Sequence, residues 1–117
     1  MESSSAVVAL SALAQENRLD VFRLLVQTGP GGMAAGDVAE RLEIPPATLS
    51  FHLAQLRQAG LLTMRRDGRS LIYSANYDGM NALMAFLTEN CCRGAAPCAV
   101  PASVKVKAPR RKRATQP

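Results

Sequence analysis

A mainly α-helical fold with one small β-hairpin is predicted by three observations. Apolar residues recur at helical spacing in five stretches of the first 90 residues. A three-residue turn, Glu43-Ile44-Pro45, separates two of those stretches, and an Asp67-Gly68 pair sits between two extended apolar runs. At 117 residues, 48% of them hydrophobic, the chain can close one core but not two independent ones.

The first helix is expected over Ala6 to Leu13, with Ser3 to Ser5 available as caps. A second runs from Asn17 to Gln27, where Leu19, Phe22 and Val26 share a face flanked by Val21, Leu24 and Leu25. Gly29-Pro30-Gly31-Gly32 cannot continue it, because proline lacks a backbone donor and the glycines lose too much backbone entropy. From Met33, Val38 and Leu42 mark a third helix and Leu49, Leu53 and Leu56 a fourth, and the short turn between them forces a sharp crossing. Pro46 suits the first turn of the fourth helix, where its missing N–H had no partner to lose, and Gly60 ends that helix. Leu61 to Met64 and Ser70 to Ala75 then form a hairpin around Arg65-Arg66-Asp67-Gly68-Arg69. A last helix fits Met80 to Asn90, with Leu83, Met84 and Leu87 on one side and Phe86 adjoining. Four helices, two strands and a final helix in this order make a winged helix-turn-helix.

Three units follow: residues 1–90 as the folded domain, 91–98 as a cysteine segment, and 99–117 as a basic tail expected to be disordered. The formal charge of +5 belongs to that tail. Lys105, Lys107, Arg110, Arg111, Lys112 and Arg113 carry six of the 14 cations, leaving eight against nine carboxylates in residues 1–104. Net charge therefore gives no argument for nucleic-acid binding by the body. The start MESSSAVVAL has no basic secretory leader, and no apolar run is long enough to span a bilayer. A cytoplasmic protein without a membrane partner is expected. In that reducing setting three cysteines read as thiols or ligands rather than disulfides, and an odd count cannot pair fully within one chain.

On the fourth helix successive residues turn by about 100°, so Leu49, Leu53 and Leu56 converge inward while Ala47, Phe51, Ala54 and Gln58 point away. A phenylalanine among small and amide side chains is odd for a solvent face but suits a helix lying in a major groove. Phe51 can meet a thymine methyl, Gln55 or Gln58 an adenine or a phosphate, and Thr48 and Ser50 phosphate or base edges. Packing and capping are the plainer alternatives for these residues. His52, on the flank of the helix, suits a structural or phosphate-contacting role better than ligation, because metal sites want several donors. Arg65, Arg66 and Arg69 on the hairpin suit the duplex backbone or a narrow minor groove.

The segments QENRLDVFRLL, GDVAERLEIPPATLSFHLAQLRQAGLL and RRDGRSLIYSA, in this order across residues 7–90, resemble the ArsR family of arsenic- and metal-responsive repressors. The resemblance implies a homodimer joined by its first and last helices. It also implies that two recognition helices read double-stranded operator DNA at half-sites about one helical turn apart, on the order of 34–36 Å. It does not imply an enzyme. Two effector sites known in the family are absent: residues 33–50 contain no Cys-Val-Cys, and the last helix contains no histidine. What remains is Cys91, Cys92 and Cys98, which resembles an arsenic-responsive subset with cysteines at this end of the chain.

Gly94 and Pro97 let the backbone turn so that Cys98 can approach the adjacent pair. Structural zinc wants four ligands and none is local, whereas trivalent arsenic or antimony, As(III) or Sb(III), takes three thiolates in a pyramid. A metal site of Cys91, Cys92 and Cys98 with As(III) as effector is expected, in a segment that is mobile until loaded. Another soft ion or a thiol oxidant is the nearest alternative signal. A small thiol redox enzyme is a more distant one, since no Cys-x-x-Cys pair, strand–helix alternation or phosphate-cradling glycine loop is present.

Overall fold

The computed structural model describes residues 1–94, and its element order is α1 (Ser3–Leu13), α2 (Glu16–Thr28), β1 (Met33–Ala34), α3 (Ala35–Leu42), α4 (Pro46–Gln58), β2 (Leu62–Asp67), β3 (Ser70–Ala75), α5 (Tyr77–Leu87) and a 3₁₀ turn, Cys91–Gly94. The expected helix-turn-helix and hairpin are both present. The apolar stripes converge on one core in which Val21, Leu25, Val38, Leu49, Leu53, Leu56 and Leu61 are almost wholly removed from water. Fully burying a side chain of this size stabilises the fold by about 1.5–3 kcal/mol.

The turn between α3 and α4 is made by Glu43, which takes the left-handed conformation (φ 55°) without being glycine. Its strain is offset because the Ile44 N–H reaches back to the Ala39 carbonyl (3.0 Å) and the Ile44 side chain enters the core. Pro46 occupies the first turn of α4, as its missing donor predicts.

The sheet holds one strand more than the sequence reading expects. Met33 and Ala34 pair antiparallel with Tyr73 and Ile72, giving the order β1-β3-β2. Two residues leave no alternation to read, and this pairing depends on the distant strand β3. Arg65, Arg66 and Asp67 extend β2, in register with Ile72, Leu71 and Ser70, so the turn shrinks to Gly68 and Arg69. Gly68 at φ 65° supplies the positive dihedral that a two-residue hairpin needs to match strand twist.

The first and last helices differ from their expected bounds. Ser3 to Ser5 lie inside α1, whose N-cap is Glu2 with no side-chain bond; the first amides face water and need no serine. The last helix starts at Tyr77 rather than Met80, because Asn76 accepts a hydrogen bond from the Gly79 N–H (3.1 Å), and it ends at Leu87. The cysteine segment begins with a 3₁₀ turn over Cys91–Gly94. Among the described residues no helix is long and apolar enough to cross a membrane.

Candidate nucleic-acid interface

α4 divides by exposure as its periodicity dictates. Leu49, Leu53 and Leu56 are buried, and Ala47, Thr48, Ser50, Phe51, Ala54 and Gln58 are exposed. Phe51 keeps 58% of its surface in water. Leaving a benzyl group exposed forgoes burial of a large apolar area, and none of the described residues covers this face. A second chemical surface, such as a base edge with its methyl group, can supply that cover.

His52 and Gln55 are drawn in from this exposed face. His52 is buried, 6% exposed, with Nδ1 3.4 Å from an Arg18 Nη1 of α2. It turns away from the Phe51 face although the two rings are neighbours, 5.9 Å apart at a tilt of 60°. Burial first, and the Arg18 charge second, push the His52 imidazole below its ordinary pKa of 6.5, so near neutrality it is uncharged. A neutral, covered imidazole does not suit a phosphate. Gln55, half-buried, and Gln58 line a groove of about 340 Å³ whose other wall is Val7, Val8, Ser11 and Ala12 of α1. Both amides thus border α1.

The hairpin arginines also separate. Arg65 donates from Nη2 to the Gly31 carbonyl (3.2 Å), which ties the wing to the loop before β1. Arg66 and Arg69 are exposed near the hairpin tip and carry cations outward. The sequence reading missed Arg57, exposed near the end of α4, whose Nη1 meets the Met64 sulfur of β2 at 3.9 Å. It also missed Arg18, whose only sequence signal is a lone cation in the first turn of α2.

At the far end of α5 the Cys91 and Cys92 sulfurs lie 3.8 Å apart, and both residues are exposed. Two thiolates on one ion, with bonds of about 2.3 Å at tetrahedral angles, stand about 3.8 Å apart, so this pair has a span that one soft ion can bridge. The expectation of thiols holds at Cys91, which is free, but Cys92 is disulfide-bonded. Cys98 lies outside the described residues. Among the described residues no group of three or more His, Cys, Asp or Glu is placed to hold a metal ion.

The opposite end of α5 is tied to the exit of α4. Asn76 donates from Nδ2 to the Gly60 carbonyl (2.8 Å), and its N–H bonds the Leu61 carbonyl (2.9 Å). Gly79 packs so closely that a Cβ there would stand 2.5 Å from the Gly60 oxygen. Tyr77 adds a hydrogen bond from its hydroxyl to the Val26 carbonyl of α2 (2.9 Å).

Known proteins share this arrangement. A helix-turn-helix domain family matches residues 13–65. The transcriptional activator HlyU of Vibrio cholerae serotype O1 is 32% identical over 91 residues, spanning 78% of this chain and 82% of HlyU. The arsenical resistance operon repressor of Bacillus subtilis is 33% identical over 81 residues, 69% of this chain and 73% of that one. Among solved structures, the homodimeric winged helix-turn-helix domain of a possible ArsR-family regulator from Mycobacterium bovis superposes with a TM-score of 0.61 at 26% identity. That match covers 73% of this chain and 77% of the other.

Proposed function

The chain belongs to the ArsR family of winged helix-turn-helix transcriptional regulators, and from that premise we propose that it is a homodimeric repressor that leaves its operator when Cys91, Cys92 and Cys98 capture trivalent arsenic. The observation that carries the DNA half is the uncovered Phe51 face of α4, beside small side chains and hydroxyls able to approach base edges. Thr48, Ser50 and Phe51 are assigned to the duplex, with Arg66 and Arg69 on its backbone. HlyU is named an activator and the Bacillus subtilis relative a repressor. The same fold serves both, because the sign of regulation depends on where the bound site lies relative to the promoter.

The dimer is assigned to α1 and α5, where Val7, Val8, Leu10, Met84 and Leu87 stand exposed. These helices already touch each other within one chain. The Mycobacterium bovis relative is described as homodimeric, which supports the assignment.

For the effector, three thiolates match the pyramidal preference of As(III), and Sb(III) shares that chemistry. Reduction of Cys92 must precede loading. α5 then acts as a lever about 16 Å long, with the cysteines at one end and the Asn76–Gly60 contact at the other. Closing the cysteine segment shifts this lever, and Gly60 carries the shift to the end of α4. The ion displaces DNA only through its preference for the non-binding state, typically about 1–3 kcal/mol, and operator must weaken ion binding by the same factor.

A second reading is favoured by the Cys92 disulfide: the same lever is driven by a thiol oxidant, two thiols giving up two protons and two electrons. One experiment separates the two. A duplex is selected from a random pool by the phosphine-reduced protein, and its release by arsenite, antimonite, cadmium, zinc and a peroxide is followed by fluorescence anisotropy. Parent, Cys91→Ser, Cys92→Ser and Cys98→Ser proteins are compared. Arsenic sensing requires release by arsenite that each substitution weakens, and undiminished release in all three variants rejects the site. Release by peroxide alone selects the second reading.

A further inference from the structure

We propose that Arg18 and His52 form a strut that sets the recognition helix against α1, so that both are positioning residues for DNA reading and not DNA contacts. The proposal rests on the DNA-reading role of α4 and is independent of the effector. Three observations converge on it.

First, the only buried polar side chain among the described residues is His52, in the middle of the helix that presents Phe51 outward. A buried imidazole must be satisfied. The polar neighbour that the structure supplies is the Arg18 guanidinium, 3.4 Å from Nδ1. An arginine can only donate, so Nδ1 accepts and the imidazole proton sits on Nε2.

Second, Arg18 spans three helices. Its backbone N–H bonds the Gln15 side chain that caps α2 (2.9 Å), and its Nε donates to the Ala12 carbonyl of α1 (2.7 Å). Ala12 lies in the last turn of α1, where carbonyls have no partner within the helix. The guanidinium is planar with donors at fixed angles, so bonding Ala12 and His52 together fixes the spacing between the end of α1 and the middle of α4.

Third, a cation in the first turn of α2 opposes that helix's own dipole. Its position makes sense from the other side, against the negative end of α1. The charge is therefore placed for α1 and α4 and not for α2.

The consequence for reading is geometric. Phe51 precedes His52 by one residue, about 100° around the helix, so any roll or slide of α4 about the strut moves Phe51 and Ser50 with it. Base contacts depend on orientation, whereas general attraction to phosphates does not. Loosening the strut should therefore degrade discrimination between sequences before it degrades binding as such.

The test uses a duplex selected from a random pool by the parent, together with a scrambled duplex of the same length. His52→Ala is expected to weaken the selected duplex by roughly tenfold while scrambled binding stays within about twofold. His52→Asn, which keeps an acceptor near the Nδ1 position, should restore most of the loss. Arg18→Lys, with one ammonium in place of the fork, should behave like His52→Ala at an unchanged circular-dichroism spectrum. The Arg18→Ala, His52→Ala double variant should be no weaker than the worse single one. Equal losses on both duplexes, failure of Asn to rescue, or fold-changes that multiply in the double variant would each overturn the strut. A parent that selects no duplex would instead remove the DNA-reading premise and the strut with it.

Discussion

α4 and α5 are helices of similar length, 13 and 11 residues, each with leucines at helical spacing, yet the fold treats them oppositely. α4 buries Leu49, His52, Leu53 and Leu56 within its own chain, and what it exposes is one aromatic ring among small polar groups. α5 buries only Leu83 and leaves Met84 and Leu87 more than half exposed, at 56% and 57%. The same periodicity thus serves two ends. One stripe is buried by the chain that carries it, and the other stays largely exposed among the described residues.

The strongest challenge to this contrast is Leu53→Ala. It should destabilise the monomer fold by about 2–5 kcal/mol, because the closed core around α4 cannot relax into the void. Thermal denaturation measures the loss, and a change under 1 kcal/mol would mean that α4 is not packed as described. Next comes the pair Met84→Glu with Leu87→Glu. If these side chains meet a second copy, two carboxylates there should weaken association by about 3 kcal/mol, or roughly a hundredfold, while the melting of the isolated chain barely moves. Sedimentation velocity reads the outcome, and an unaltered dimer would place the interface elsewhere.

Phe51→Ala is expected to leave stability within about 0.5 kcal/mol, since exposed positions contribute little to the fold. Affinity for the selected duplex should nevertheless fall by about 1 kcal/mol, roughly fivefold, as for an apolar base contact. Full retention of affinity would return Phe51 to a packing role. The smallest effect belongs to pH. The folded chain holds His52 below its ordinary pKa of 6.5, by burial and by Arg18, so the unfolded chain takes up the proton first as pH falls. Stability is full above 6.5 and declines below it, through the window down to the lower folded value. His52→Asn should flatten that decline in urea titrations at a series of pH values, and an identical slope in both proteins would deny the coupling.

Much of this was legible from residue order, and the reasons differ by element. The leucine stripe of α4 and the Glu43-Ile44-Pro45 turn announce themselves because helix geometry and proline stereochemistry act locally. The Asp67-Gly68 hairpin does so as well. β1 was not legible, since two residues carry no period and its partner is distant in sequence. The start of α5 was misplaced because its cap, Asn76, also answers to Gly60 on another element. At the candidate interface, Phe51 could be read from its face, but His52 could not. About 60° of helical rotation from the buried face leaves the choice between flank and interior to whatever stands opposite, and Arg18 stands there.

Local chemistry along the chain determined the helix-turn-helix, the hairpin, the inward leucines of α4 and the presence of three cysteines close together in sequence. Tertiary structure alone decided that His52 turns inward to an arginine of another helix, that Arg65 serves the loop at Gly31, and that Met84 and Leu87 stay uncovered. The physical reason is range. Backbone dihedrals, caps and periodicity are set by neighbours within a few residues, whereas burial and pairing depend on which remote surface arrives opposite a side chain.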